Sequence, residues 1–244
     1  MKLQVCAHIW NYHRLGNFFL SSFVLHPPKE CEVKVTICYC EEDEGTVSLL
    51  DYFGGFDIEN VEWDWHAMER GRLMRRAIGR NEVALSCEAD FLLFSDCDYL
   101  FYDRALDQLA QKMTASCEDG PKMMYPRIVM SSADHDKGDK EIDRVQNFRG
   151  LYEVNRELYT PQRIRVAIGG VQYVNGETAR LGYLPHNKKF QAPEKEWRQT
   201  REDKHYRGWL AGAHGVQSVN YSDIETIFRI RHSTRGRFDI GVKL

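Results

Sequence analysis

The sequence predicts an α/β fold, a mostly parallel sheet flanked by helices, and three observations carry that reading. Strand-length apolar runs alternate with stretches of helical spacing through the first half of the chain. The runs at 3–10, 32–40 and 91–101 are close to continuously apolar or β-branched, as strands covered on both faces are. Three run ends carry polar clusters: Asn11-Tyr12-His13-Arg14, Glu41-Glu42-Asp43-Glu44 and Asp96-Cys97-Asp98. In sheets of this kind ligands bind at the carboxyl ends of the strands.

The elements follow in order. Residues 3–10 read as a first strand. Residues 15–25 place apolar side chains at helical spacing and stop at Pro27-Pro28, which cannot continue a helix. EVKVTICYC, at 32–40, reads as a second strand, with a weaker one at 59–65. One long helix is expected over 68–88, carrying Arg72, Arg76 and Arg80 as a basic stripe at i, i+4, i+8. FLLFSDCDYLF, at 91–101, is an apolar strand that breaks into acid, and 103–115 reads as a helix. Beyond it, 122–130 reads as a strand and 131–144 as a charged loop. Gly169-Gly170 leads into a strand-like VQYV, 186–207 is highly charged, and a last strand is expected near 224–231. The segments near 131–145 and 185–200 are expected to be mobile loops.

Length and composition bound the function. The 244 residues suit one full-sized α/β domain, and no repeat or low-complexity tract divides them. A net charge of −3 gives no strong nucleic-acid signal. The seven cysteines are odd in number, form no CxxC pair and lie mostly in apolar runs, which fits packed, reduced thiols. MKLQVCAHIW has no signal-peptide pattern, and the apolar stretch at 18–25 is too short to span a bilayer. A cytoplasmic protein without a transmembrane segment is the expectation.

Asp96 and Asp98 give the sharpest chemical signal. They interrupt an apolar strand, and alternation in an extended chain turns both carboxylates to one side. Two like charges held together call for a cation or a shared proton. A hard divalent cation, Mn²⁺ or Mg²⁺, accepts carboxylate and phosphate oxygens together. A solvated strand end is the plain alternative. The other Asp-x-Asp, Asp134-His135-Asp136, lies in a polar run and reads as solvated loop.

Residues 80–98, RNEVALSCEADFLLFSDCD, resemble the Arg-Asn helix, apolar strand and DxD motif of GT-A glycosyltransferases of the family 2 type. Other stretches are similar to that family in the same order. Asn11-Tyr12-His13-Arg14 is similar to its turn after the first strand, with His13 where Asn is usual. The acidic turn 41–44 with Gly45-Thr46, the pair Gly169-Gly170, Glu202-Asp203 with Arg207, and the late His232 follow.

The resemblance implies a GT-A fold over 1–244, with 1–118 as the nucleotide-sugar-binding half and 119–244 as the acceptor side. It implies transfer of a sugar from a nucleoside-diphosphate sugar, UDP-sugar by default, to a hydroxyl of a saccharide, lipid-linked or other acceptor. It makes Asp98 the direct metal ligand, with Asp96 at the ribose or on the metal through water and His232 completing the coordination. Tyr12 is placed against the base and Glu41 or Glu42 on base or ribose, with Arg14 in the same turn. Arg80 is assigned to the diphosphate or to Asp96, leaving Arg72 and Arg76 as structural or solvent-facing. Asp203 is the expected base of an inverting displacement, with Glu202 beside it. Trp197, Tyr206 and Trp209 surround that pair as core packing or as a sugar platform.

Rival readings stay open. A sugar nucleotidyltransferase would carry a Gly-rich, Lys-bearing loop after the first strand, where HIWNYHRLGNF has one Gly and no Lys. A two-metal phosphodiesterase would need further His/Asp clusters. A non-catalytic nucleotide-binding or interaction protein of the same fold is the remaining alternative.

Overall fold

The computed structural model describes residues 1–116, 122–196, 201–221, 224 and 226–233. Cys117, Trp197 and the basic tail beyond 233 lie outside them. Seven strands form the main sheet in the order β10-β6-β9-β4-β1-β2-β3. They are β1 (Lys2–His8), β2 (Glu32–Tyr39), β3 (Val61–Ala67), β4 (Phe91–Ser95), β6 (Lys122–Pro126), β9 (Val171–Asn175) and β10 (Gln217–Tyr221). Among these strands β9 alone runs against its neighbours, β4 and β6; every other pairing is parallel. A second sheet has the order β5-β11-β7-β8, from β5 (Tyr99–Phe101), β7 (Ile128–Ser132), β8 (Tyr159–Arg163) and β11 (Ile227–Arg229).

The two faces of β1 show why the sheet is buried. Val5, Ala7 and Ile9 lie on one face beneath α1 (His13–Leu25) and α2 (Glu44–Gly54). A Cβ added at Gly16 of α1 would stand 3.0 Å from Leu49 of α2 and closer still to Ile9, so that glycine sets the approach of helix to sheet. Cys6 and His8 lie on the other face, where Gly79 of α4 (Arg76–Leu85) admits the His8 ring. Burial, with the charges of Arg80 and Arg76 behind it, lowers His8 well below the usual histidine range and keeps the ring neutral. The six described cysteines are free and buried, as the sequence suggests. No described helix is long and apolar enough to cross a membrane.

Five expectations are corrected. The helix expected over 68–88 is two, α3 (Arg70–Leu73) and α4, broken where Arg75 turns its guanidinium inward to the Ala192 carbonyl and Glu194. The run at 91–101 is not one strand: β4 ends at Ser95, a turn spans Asp96–Asp98, and β5 belongs to the second sheet. The run at 122–130 divides in the same way at Arg127, between β6 and β7. The supposed loop at 131–144 contains α6 (His135–Asp143), because the Asp134 carboxylate accepts from Lys137 N at 2.8 Å and caps it. Ile142 and Glu141 then turn inward, so 131–145 is the end of β7 followed by the capped helix α6. Finally α2, β8 and β10 form where no element was expected, Asp43 capping α2 through Thr46 N at 3.2 Å. The remaining helices are α5 (Ala105–Ser116), α7 (Gly176–Ala179) and α8 (Glu202–His214).

Candidate active site

The turn that ends β4 sits between the two sheets. Tyr99 N donates to Asp96 O at 3.1 Å, closing the turn, and Asp96 N donates to Gly170 O at 2.9 Å, fixing it to the approach of β9. Gly170 is required there, since a Cβ would strike the Tyr99 ring and stand 3.3 Å from Asp96 Oδ2. Because the chain turns instead of extending, the two carboxylates diverge. Asp96 bonds the arginines of α4, and Asp98 bonds Arg229 of β11.

Asp96 faces α4. Its Oδ1 accepts from Arg76 Nη1 at 2.5 Å and from Arg80 Nη2 at 3.3 Å. Arg80 is fully buried, and it also donates to Gly169 O at 2.6 Å and Tyr183 Oη at 3.3 Å. Phe94 and Tyr183 lie against its guanidinium. Arg76 continues the network through Nε to Glu202 Oε1 at 3.2 Å. Burial opposes the Arg76 charge, but Asp96 and Glu202 outweigh it and hold its pKa above the ordinary arginine value. Burial pushes the Tyr183 phenol up to about 12 despite the arginine, so its hydroxyl stays protonated.

Arg80 therefore holds Asp96, one of the two roles the resemblance implied. Arg76 does so as well; it is neither solvent-facing nor remote. The signal for it was its place one turn before Arg80 on the same helix face. Arg72 is engaged with Glu82 away from this network.

Asp98 faces the second sheet. Its Oδ2 accepts from Arg229 Nε at 3.2 Å, while its Oδ1 is buried with no hydrogen-bond partner among the described residues. The cavity in front of it, about 340 Å³, is lined by Asp98, His135, Gln162, Arg229, Arg231 and His232. The His232 ring meets Tyr12 edge-on, with centroids 5.4 Å apart, so a residue 220 positions earlier in the sequence packs against this wall. Gly138 of α6 lets the helix pack directly on the Arg231 backbone beneath the cavity. Arg229, His135 and Gln162 were not read as site residues. The sole hint of Arg229 was its alternation with Arg231 in a short strand.

A buried carboxylate oxygen without a donor is costly unless something binds it. Asp98 Oδ1 and the His232 imidazole are oxygen and nitrogen donors opening on one cavity, donor types that a divalent cation accepts.

At the first strand end, Asn11 takes a left-handed conformation (φ 55°) and its N–H donates to Asp43 Oδ2 at 2.6 Å. Thr46 Oγ1 donates to the same oxygen at 2.6 Å. Asp43 is thus the buried member of the acidic turn and ties the first two strand ends together. Glu41 and Glu42 stay exposed, Glu42 facing Arg70 at 3.9 Å. Arg14 reaches Asp143 of α6 at 3.8 Å, leaving Tyr12 as the residue of its turn that touches the Asp98 cavity wall.

Across the Gly169-Gly170 turn stands the start of α8. Glu202 is buried and bound to Arg76, so it anchors the helix to Asp96. Asp203 is half-buried, and its Cβ lies 3.3 Å from where a Gly169 Cβ would be. Among the described residues no hydrogen bond or ion pair engages its carboxylate. Tyr206 is fully buried, stacked on Tyr183 at 4.1 Å, and is core; Trp209 is partly buried against it.

No protein-family model and no curated protein matches the chain. Solved structures do match in fold. S. aureus TarS 1–349 in complex with UDP superposes at a TM-score of 0.56 with 12% identity, over 93% of this chain and 60% of that one. TarS 1–349 without the nucleotide gives 0.55 and 14%, over 94% and 60%. A mannosyltransferase from Pyrobaculum calidifontis, in complex with GDP-Man and Mn²⁺, gives 0.55 and 14%, over 93% and 56%. The fold is the GT-A fold of nucleotide-sugar glycosyltransferases. The chain spans roughly three-fifths of the length of these neighbours, 60% and 56%.

Proposed function

We propose that the protein is a metal-dependent glycosyltransferase that moves a sugar from a nucleoside-diphosphate sugar to an acceptor hydroxyl. The observation that carries this reading is Asp98 Oδ1, buried and without a donor at the end of β4, opening on the cavity that His232 lines. The sugar-nucleotide complexes of the fold neighbours support it, UDP with TarS and GDP-Man with Mn²⁺ with the mannosyltransferase. A UDP-sugar is the donor to test first, and a cytoplasmic location belongs to the same reading.

In this reading Asp98 and His232 hold Mn²⁺ or Mg²⁺, which when bound offsets the charge that develops on the departing diphosphate. Arg229 grips Asp98 Oδ2 and leaves Oδ1 directed at the cation. Arg76 and Arg80 fix Asp96 at the ribose, and Tyr12 borders the base. Asp203, across the Gly169-Gly170 turn, takes the proton from the acceptor hydroxyl as its oxygen attacks the anomeric carbon, giving inversion. Glu202 positions it by anchoring α8 to Arg76. Residues 1–118 then supply the donor side and 119–244 the acceptor side.

The test is turnover of a set of nucleotide sugars by wild type and Asp203→Asn, with donor binding measured alongside. A general base contributes about 100-fold or more. The reading predicts a loss of that size in transfer with donor affinity kept; equal rates for the two proteins would remove Asp203 from the mechanism. One observation favours a second reading, a nucleotide-binding protein without turnover: the Asp98–Arg229 ion pair neutralises Asp98 with no cation. Absence of transfer with any donor, alongside nucleotide binding, would select it.

A further inference from the structure

The face of the sheet beneath α4 holds a second constellation that the transfer chemistry does not use. Cys6 and His8 are two residues apart on β1 and share a face, and Cys38 of β2 is the parallel partner of His8. One ligand atom from each of the three lies within 4.8 Å of the others. Both His8 ring nitrogens are shut off from solvent and have no hydrogen-bond partner. A buried imidazole satisfied at neither nitrogen is the kind of orphan that native structures rarely keep without a ligand.

Gly79 supplies the space. A Cβ there would meet His8 Nε2, Met68 Sδ and Cys38 Sγ, the farthest at 3.1 Å, so an imidazole nitrogen and two sulfurs crowd together beside this glycine. Cys6 and Cys38 are both free thiols, and Met68 is buried.

We propose that Cys6, His8 and Cys38, with Met68 as a weaker fourth donor, form a binding site for a soft thiophilic cation, Cu(I) in preference to Zn(II). Thiolate and thioether sulfur select Cu(I), and zinc takes no thioether in its usual ligand sets. Charge points the same way. The fields of Arg80 and Arg76, partly offset by that of Asp96, reach this pocket and oppose a cation, a divalent one more than a monovalent one. Two thiolates and one Cu(I) make a complex of net charge −1, which those guanidiniums stabilise. Binding releases one proton to solvent from each thiol that becomes a ligand and involves no redox change.

The experiment titrates the reduced full-length chain anaerobically with Cu(I) held by a chromophoric chelator, with Zn(II) in a parallel series. The expected result is one Cu(I) per chain withdrawn from the chelator, with zinc held more weakly. X-ray absorption of the wild-type complex should then show a sulfur-dominated shell with one imidazole nitrogen. Cys38→Ser and Gly79→Ala should each weaken binding by about tenfold or more, Met68→Leu less, and Cys87→Ser not at all. No withdrawal from the chelator, tighter zinc than Cu(I), or affinity unchanged in both Cys38→Ser and Gly79→Ala would each overturn the site. If those variants do not fold, the wild-type spectrum decides: a shell without nitrogen contradicts the assignment of His8.

Discussion

Arg229 Nε stands 3.2 Å from Asp98 Oδ2, on the side of the carboxylate away from its unpartnered oxygen. One strand of the second sheet thereby orients the acid that ends a strand of the first. The pair also places a fixed positive charge beside the proposed cation.

That charge has a measurable consequence. Relieving one like charge at a partly exposed distance of a few ångströms is worth about 1 kcal/mol or more, a factor of about five to ten. Arg229→Met is expected to tighten Mn²⁺ binding in the absence of nucleotide by that factor. Calorimetric titration checks it, and an unchanged or weaker affinity would place the cation away from Asp98.

Arg80 serves stability as much as the site. It is fully buried, and its removal strands the Gly169 carbonyl and the Tyr183 hydroxyl and leaves Asp96 to Arg76. Truncating a large, fully buried side chain together with its hydrogen bonds costs about 3–5 kcal/mol. Urea denaturation of Arg80→Ala is expected to show a loss of that order, with Arg80→Lys intermediate because ammonium lacks the planar fork. A loss below about 1 kcal/mol, the range of exposed ion pairs, would mean that the network is not formed.

Asp107 contributes to the response to acid. Its side chain is shielded from solvent and accepts from Lys29 N at 3.0 Å, Glu30 N at 2.8 Å and Arg104 Nε at 3.4 Å. Burial raises its pKa, but the backbone donors of Glu30 and Lys29, with Arg104, outweigh that and set it below the usual carboxylate value. The folded state therefore binds this proton less readily than the unfolded chain. The stability it contributes is complete above the unfolded value of about 3.9 and is lost as pH falls through the lower folded value. Asp107→Asn is expected to cost about 1–3 kcal/mol at neutral pH, with the gap to wild type closing in acid. Urea midpoints at pH 7 and across the acid range test this, and a gap independent of pH would contradict it.

What the sequence revealed follows from where the physics is local. Period and composition located β1, α1, β2 and α5, and the apolar run ending in Asp96-Cys97-Asp98 pointed to the candidate site. They could not show that this run divides between two sheets, because β4 and β5 are equally apolar and the break depends on Gly170 bonding to Asp96. The two roles open to Arg76 could not be separated for a related reason: on a helix face, an arginine that meets solvent and one that meets Asp96 have the same spacing. The Asp43 cap was hidden among three other acids, and the role of Arg229 required the pairing of β11 with β5 and β7. Local pattern names the element; which partner it meets is a tertiary fact.

The central claim is that Asp98 binds a cation and, through it, a nucleoside diphosphate. Calorimetric titration with UDP, GDP and CDP, each with and without Mn²⁺, tests it most directly in wild type and Asp98→Ala. The account predicts Mn²⁺-dependent binding of one nucleotide, abolished in the variant. No nucleotide binding under any condition, or binding that is indifferent to both Mn²⁺ and Asp98, would contradict it.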